Sequence, residues 1–69
     1  MTPTLYYAGV SWSAIAASHD GRLVGLRFAF GKWRVESWPA NDTHDRKSEG
    51  EFDQEFYQTA KGAFQALIQ

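Results

Sequence analysis

The sequence predicts an α+β domain in which a three-stranded antiparallel meander is followed by one C-terminal amphipathic helix packed on one face, β-β-β-α. In the first half of the chain, two glycine-containing turns separate segments whose apolar residues alternate at period two. In the second half, apolar residues recur at helical spacing. The 69 residues fit one domain, with the sheet at about 5–38, a polar loop at 39–48 and the helix at about 49–68.

Two hairpin turns define the expected strands, which run at about 5–18, 22–30 and 33–38. Asp20-Gly21 is a type I′ signal, and Gly31-Lys32 suits a type II′ turn because glycine takes the first central position. The second turn would pair Phe30 with Trp33. Directly paired residues share a face, so both turns are expected to place the apolar residues of the strands on one core face.

The helix is expected to follow the polar loop PANDTHDRKS, which has no strand signal. Ser48 and Glu51 have the spacing of a capping box, and acidic residues in the first turns suit the helix dipole. The apolar stripe that would face the sheet consists of Phe52, Phe56, Ala60, Ala63, Phe64 and Leu67.

The sheet face away from the helix is the first candidate functional surface, because one helix covers only one face. It would carry Trp12, Arg27, Arg34 and Trp38. Arg27 would lie opposite Glu36, and Trp38 across from Gly25. Exposed apolar patches often mark binding sites, and Trp and Arg are enriched at interfaces. Three alternatives remain: a partner surface, cover by the N-terminal segment, or a homodimer.

The second candidate surface is acidic. Residues 1–41 carry four basic and two acidic side chains, whereas residues 42–69 carry three basic and six acidic ones. The acidic patch consists of Asp42, Asp45, Glu49, Glu51, Asp53 and Glu55. Helix design explains the acids of the first helical turns but not the others. Such a patch would engage a basic groove that otherwise holds nucleic acid.

Motifs of known enzymes and metal sites are absent from the sequence. It has no glycine-rich nucleotide loop, no H-E-x-x-H and no cysteine. Asp42, His44 and Asp45 could hold a metal, but this composition is common in loops, and a chain this short leaves little room for a shielded pocket. We therefore expect a non-enzymatic protein without metal or cofactor. With no membrane-length apolar run and no signal peptide, it is expected to be soluble and intracellular.

The segments YAGVSW and GKWRVES resemble AP2-type DNA-binding domains, which have a G-V near the start and a G-K-W strand. The matching positions are Gly9, Val10, Gly31, Lys32, Trp33 and Arg34. The resemblance implies a three-stranded sheet that reads DNA with Arg and Trp. Here a polar loop replaces that family's next strand, and the net charge of −1 is not the basic footprint that phosphate contacts need. A nucleic-acid-binding module reading through its Trp/Arg sheet face is the alternative hypothesis.

In its size, its lack of cysteine, its mild acidity and its lack of catalytic motifs, the chain resembles small phage-encoded inhibitors, particularly anti-CRISPR proteins. The resemblance implies stoichiometric binding to a Cas protein or surveillance complex in the host cytoplasm. The leading hypothesis is a protein-interaction domain whose acidic patch occupies the nucleic-acid-binding surface of a CRISPR effector subunit. It would act as a monomer or as a homodimer through the open sheet face. A structural subunit of a phage particle is a third possibility.

Overall fold

The computed structural model describes residues 5–18 and 20–69. Its elements are β1 (Leu5–Tyr7), β2 (Val10–Trp12), β3 (Ala14–Ala17), β4 (Arg22–Ala29), β5 (Lys32–Pro39), β6 (Lys47–Asp53), a 3₁₀ turn (Gln54–Phe56) and α1 (Tyr57–Ile68). β1 and β2 form a two-stranded antiparallel sheet, and β3 to β6 form a four-stranded antiparallel sheet in that order. The predicted three-stranded meander with one helix is therefore wrong: the described chain is mostly sheet.

The fourth strand of the main sheet, β6, occupies the end of the predicted loop and the predicted start of the helix. Glu51 lies opposite Arg34 and Asp53 lies opposite Lys32, so the alternating acids meet cations across the ladder. These cross-strand pairs favour a strand where capping and dipole arguments favoured a helix. The register shifts by one residue at Glu49, which forms a bulge.

The predicted first strand is divided into β1, β2 and β3. Ala8 and Gly9 both have positive φ, 56° and 71°, and close a two-residue hairpin that pairs Tyr7 with Val10. Alanine is uncommon in this conformation, so a two-residue turn at Ala8-Gly9 was not expected from the residue types. The Asp20-Gly21 turn lies beside His19, which is outside the described residues.

The turn between β4 and β5 is displaced by one residue from its predicted place. Its central residues are Phe30 and Gly31, with φ of 54° and 77°, as in a type I′ turn. Phe28, and not Phe30, therefore pairs with Trp33. Phe30 leaves the core face and becomes part of the turn.

The main core lies between the four-stranded sheet and α1. It contains Val24, Leu26 and Val35 from the sheet and Ala60 and Phe64 from the helix. The helix begins at Tyr57 rather than near residue 49, but its buried positions belong to the predicted stripe. Burial of this stripe against the sheet is the main stabilising interaction of the helix.

Candidate functional site

The sheet face away from α1 is covered by the β1–β2 hairpin. Trp12 from β2 packs on Trp38 from β5, with ring centroids 4.9 Å apart, and Tyr7 stacks on Trp38 at 5.8 Å. Both tryptophans have 0% exposure. Of the three alternatives for this face, the structure therefore supports the second, in which the N-terminal segment covers the tryptophans. The expectation of an accessible Trp12 and Trp38 is wrong.

Close contact between Trp12 and the backbone of Gly25 explains how the hairpin lies so near the sheet. A Cβ at Gly25 would come within 2.4 Å of Trp12 Cε3, so only glycine accommodates the ring there. Sequence reasoning assigned this covering role to Trp38, but Trp38 lies opposite Leu23. Trp12 Nε1 donates a hydrogen bond to the Tyr7 carbonyl at 2.9 Å, which ties the two strands of the hairpin together.

Arg27 and Arg34, the two arginines of this face, are both ion-paired. Arg27 Nε lies 2.7 Å from Glu36 Oε1, and the two side chains are only 16% and 14% exposed. The pair was expected to lie directly opposite, but it is diagonal, because Arg27 faces Arg34 and Gly25 faces Glu36. Arg27 also lies over the Trp12 ring, 5.4 Å from its centroid.

The six predicted acidic-patch residues lie in three different settings. Glu49, Glu51 and Asp53 belong to β6, Asp42 and Asp45 to the connection before it, and Glu55 to the 3₁₀ turn. The three carboxylates of β6 make ion pairs: Glu51 with Arg34 at 2.7 Å, Asp53 with Lys32 at 2.8 Å and Glu49 with Lys47 at 3.7 Å.

These ion pairs neutralise half of the predicted patch. A hydrogen bond from Lys32 to Asp53, and the charge of that carboxylate, raise the pKa of Lys32. Within the described residues, Asp42, Asp45 and Glu55 make no ion pair. Within the predicted patch, the carboxylates without an ion pair among the described residues are thus these three.

Sequence reasoning missed the arrangement of aromatic side chains at the end of the β4–β5 hairpin, where Phe28 and Trp33 lie on the α1 face and Phe30 lies in the turn beside Arg34 of the opposite face. Phe30 is 86% exposed and Phe28 is 43% exposed. Phe28 contacts Trp33 edge to face at 5.3 Å, and Trp33 contacts Tyr57 of α1 at 4.6 Å. We call Phe28, Phe30 and the partly exposed Trp33 the aromatic tip. The signal for it was FAFG, in which an aromatic residue directly precedes a turn glycine.

Phe30 is unfavourable in its position for two independent reasons. A type I′ turn prefers Asn, Asp or Gly at its first central residue, because an L-residue with a bulky side chain is strained at positive φ. At 86% exposure, the ring also gains little from burial within its own chain. Residues held in rare backbone conformations cluster at functional sites, so the strain points to a role for the exposed ring.

A small cavity with a mixed polar and apolar lining lies at the other end of the main sheet. Its volume is about 70 Å³, and its lining includes Arg22, Ser37, Lys47 and Glu49. Arg22 donates to Ser37 Oγ at 3.2 Å. The lining carries both signs of charge and selects no particular ligand charge.

Neither a metal-binding cluster nor a membrane-spanning helix occurs in residues 5–18 and 20–69. No group of three or more His, Asp or Glu side chains there is placed to hold a metal ion, and Asp42, His44 and Asp45 form no such group. The helix of this part of the chain is too short to span a bilayer.

Comparison with known proteins gave no match: no family model, no curated protein and no solved structure resembles this chain closely enough to be assigned to it.

Proposed function

We propose that this chain is a small, non-enzymatic protein-interaction domain that binds its partner through the aromatic tip, with Phe30 as the anchor. The supporting observation is that Phe30 combines positive φ with 86% exposure. Its turn would be more stable with Asn, and its ring has little packing to lose. An aromatic side chain that enters a partner's pocket is a common source of binding energy at interfaces.

The proposed partner is a CRISPR effector subunit, a choice that rests on the resemblance to small phage-encoded inhibitors. Asp42, Asp45 and Glu55 would supply a secondary contact with a basic surface of that partner, because their charge is not compensated by ion pairs within the described residues. Glu51 and Asp53 are less suited to this role, since each already binds a cation of β5.

The first test replaces Phe30 with Asn in the isolated protein. If the ring is retained for binding, Phe30→Asn should raise the free energy of unfolding by about 1 kcal/mol, since Asn tolerates positive φ better. Binding of the dye ANS, a probe of exposed apolar surface, should fall. Urea unfolding and dye titration measure the two effects. A less stable Phe30→Asn variant with unchanged dye binding would assign Phe30 a structural role and reject the aromatic tip.

The second test measures binding of the intact chain to a panel of purified Cas proteins and surveillance complexes by biolayer interferometry. Phe30→Asn should weaken binding about 30-fold or more, the effect of losing a hot-spot residue. Ala8→Asn is the matched control, since it places Asn at the corresponding position of the other positive-φ turn. It removes no exposed ring and should leave affinity unchanged. Absence of binding across the panel would reject the effector as partner.

The nucleic-acid alternative has less support, because the tryptophans that would stack on bases are buried and Arg27 is paired with Glu36. A gel shift with single- and double-stranded DNA and RNA at low salt tests it directly. A salt-sensitive shift that disappears in Arg27→Ala and Arg34→Ala variants would favour nucleic acid over a protein partner.

A further inference from the structure

Phe30 is the most exposed large apolar side chain of the described chain, at 86%. A ring this exposed would ordinarily sample several rotamers, and fixing one of them on binding has an entropic cost. An anchor that is already fixed before binding avoids this cost. The question is which neighbouring group could hold the Phe30 ring.

Arg34 makes three contacts around the β4–β5 turn. Its Nε donates to the carbonyl oxygen of Ala29 at 3.0 Å, and its Nη1 donates to Glu51 Oε2 at 2.7 Å. Its Cζ lies 5.4 Å from the centroid of the Phe30 ring. Ala29 directly precedes Phe30, so the guanidinium is bound to the backbone of the turn that presents the ring.

The acceptors of these two hydrogen bonds lie on different strands, and together they fix the guanidinium independently of the Phe30 ring. Ala29 belongs to β4 and Glu51 to β6, so Arg34 on β5 bridges three strands. The Arg34 side chain is only 21% exposed. A guanidinium fixed in this way offers a cationic surface on which an aromatic ring can rest.

We infer that Arg34 is a positioning residue that holds the Phe30 ring in its binding orientation; this inference rests on the proposed function of the aromatic tip. Arginine suits the role because its planar fork donates to two acceptors at once and still presents a flat cation to a ring. Lysine could keep the ion pair with Glu51, but it lacks the planar group that makes all three contacts together.

The test compares Arg34→Lys with wild type, using NMR on the free chain. In wild type, the Phe30 ring should show cross-relaxation with the Arg34 side chain, and its ring relaxation should indicate restricted motion. Both signals should be lost in Arg34→Lys. Lys32→Gln is the control, since Lys32 lies on the same strand and pairs with Asp53, and none of the cation–π contacts among the described residues involves it; the ring signals should persist in it.

Dye titration supplies a second readout through a double-mutant cycle. Arg34→Lys preserves the charge, so a change in ANS binding reports the lost contact with the Phe30 ring. The substitution should weaken ANS binding about two- to fivefold, the range that a cation–π contact at an exposed site supplies. In the Phe30→Asn background, Arg34→Lys should have no effect on dye binding. A purely structural role of Arg34 would instead change dye binding equally in both backgrounds.

The possible outcomes separate the two proposals. Equal ring mobility in wild type and Arg34→Lys, with Phe30→Asn still more stable and binding less dye, would overturn the positioning role and leave the tip in place. A destabilised Phe30→Asn that binds dye like wild type would reject the tip itself. Thermal unfolding of Arg34→Lys checks that lost ring signals come from a folded chain.

Discussion

Two hairpins of this molecule have the same turn geometry and use their aromatic residues in opposite ways. Each turn places a non-glycine residue and then a glycine at positive φ: Ala8-Gly9 in the β1–β2 hairpin and Phe30-Gly31 in the β4–β5 hairpin. The first hairpin buries Trp12 on the main sheet, whereas the second presents Phe30 to solvent. Similar backbone strain therefore accompanies a structural role in one place and a candidate binding role in the other, and side-chain burial distinguishes them.

The largest expected difference between the hairpins is in the cost of removing an aromatic ring. Trp12→Ala should lower the free energy of unfolding by about 3–5 kcal/mol, the usual cost of truncating a buried large side chain. Phe30→Ala should change it by about 0.5 kcal/mol or less, as at most exposed positions. Urea unfolding of both variants measures the contrast. Comparable losses would contradict the division into a covering and a presenting hairpin.

The next effect concerns the contact that seats the first hairpin. Gly25→Ala should destabilise the protein by about 1–3 kcal/mol, because the added methyl group forces the Trp12 ring away from the sheet. Gly62→Ala is the matched control: nothing lies within 4 Å of a Cβ there, and alanine favours a helix. Thermal unfolding should show opposite shifts for the two variants. If Gly25→Ala left the stability of the protein unchanged, the hairpin would not rest on Gly25.

A smaller effect is expected in the turn of the first hairpin. Ala8→Asn should stabilise the protein by about 0.5–1 kcal/mol, since Asn tolerates positive φ better than Ala. Unlike Phe30→Asn, it should leave ANS binding unchanged, because no exposed ring is removed. Chemical unfolding and dye titration on one preparation check both statements. Lower dye binding in Ala8→Asn would show that the dye does not report on the aromatic tip.

The smallest effect is the pH dependence of the ion pair between Lys32 and Asp53, beside the turn of the second hairpin. The pKa of Lys32 is raised in the folded state, so the pair contributes below the ordinary lysine pKa and loses that contribution as pH rises through the raised value. Wild type should therefore be slightly more stable than Lys32→Gln at neutral pH, and the difference should vanish at strongly alkaline pH. Denaturant titrations at both pH values measure it. A stability difference between wild type and Lys32→Gln that grows with pH would contradict a raised pKa of Lys32 in the folded state.

The parts of the fold that the sequence predicted are those in which local pattern and tertiary contacts agree. Period-two alternation through Val24 and Leu26 correctly indicated a strand, and helical spacing correctly placed Ala60 and Phe64 against the sheet. The alternating acids of β6 were ambiguous, because Glu49, Glu51 and Asp53 also suit a helix start. The strand is favoured over the helix by the ion pairs of Glu51 with Arg34 and of Asp53 with Lys32, and both cations are distant in sequence.

The candidate site was less predictable than the fold. Moving the β4–β5 turn by one residue takes Phe30 from an expected core pair with Trp33 to the exposed turn, and no local propensity favours phenylalanine at positive φ. Burial of Trp12 and Trp38 depended on a hairpin turn at Ala8, which has no sequence signature either. In both cases the residue types were noted correctly, but their accessibility depended on a turn that was predicted one residue too late at Gly31-Lys32 and was not predicted at Ala8-Gly9.

Stacking of Trp12 on Trp38 also supplies an intrinsic spectroscopic reporter. The two indole rings are 4.9 Å apart and inclined at 36°, which is close enough for their electronic transitions to couple. Coupled transitions of two tilted indoles give a paired positive and negative band in circular dichroism, and Trp33, which lies on the other face of the sheet, would not contribute to it. The amplitude of that band would therefore follow undocking of the β1–β2 hairpin separately from loss of the helix, without any added label.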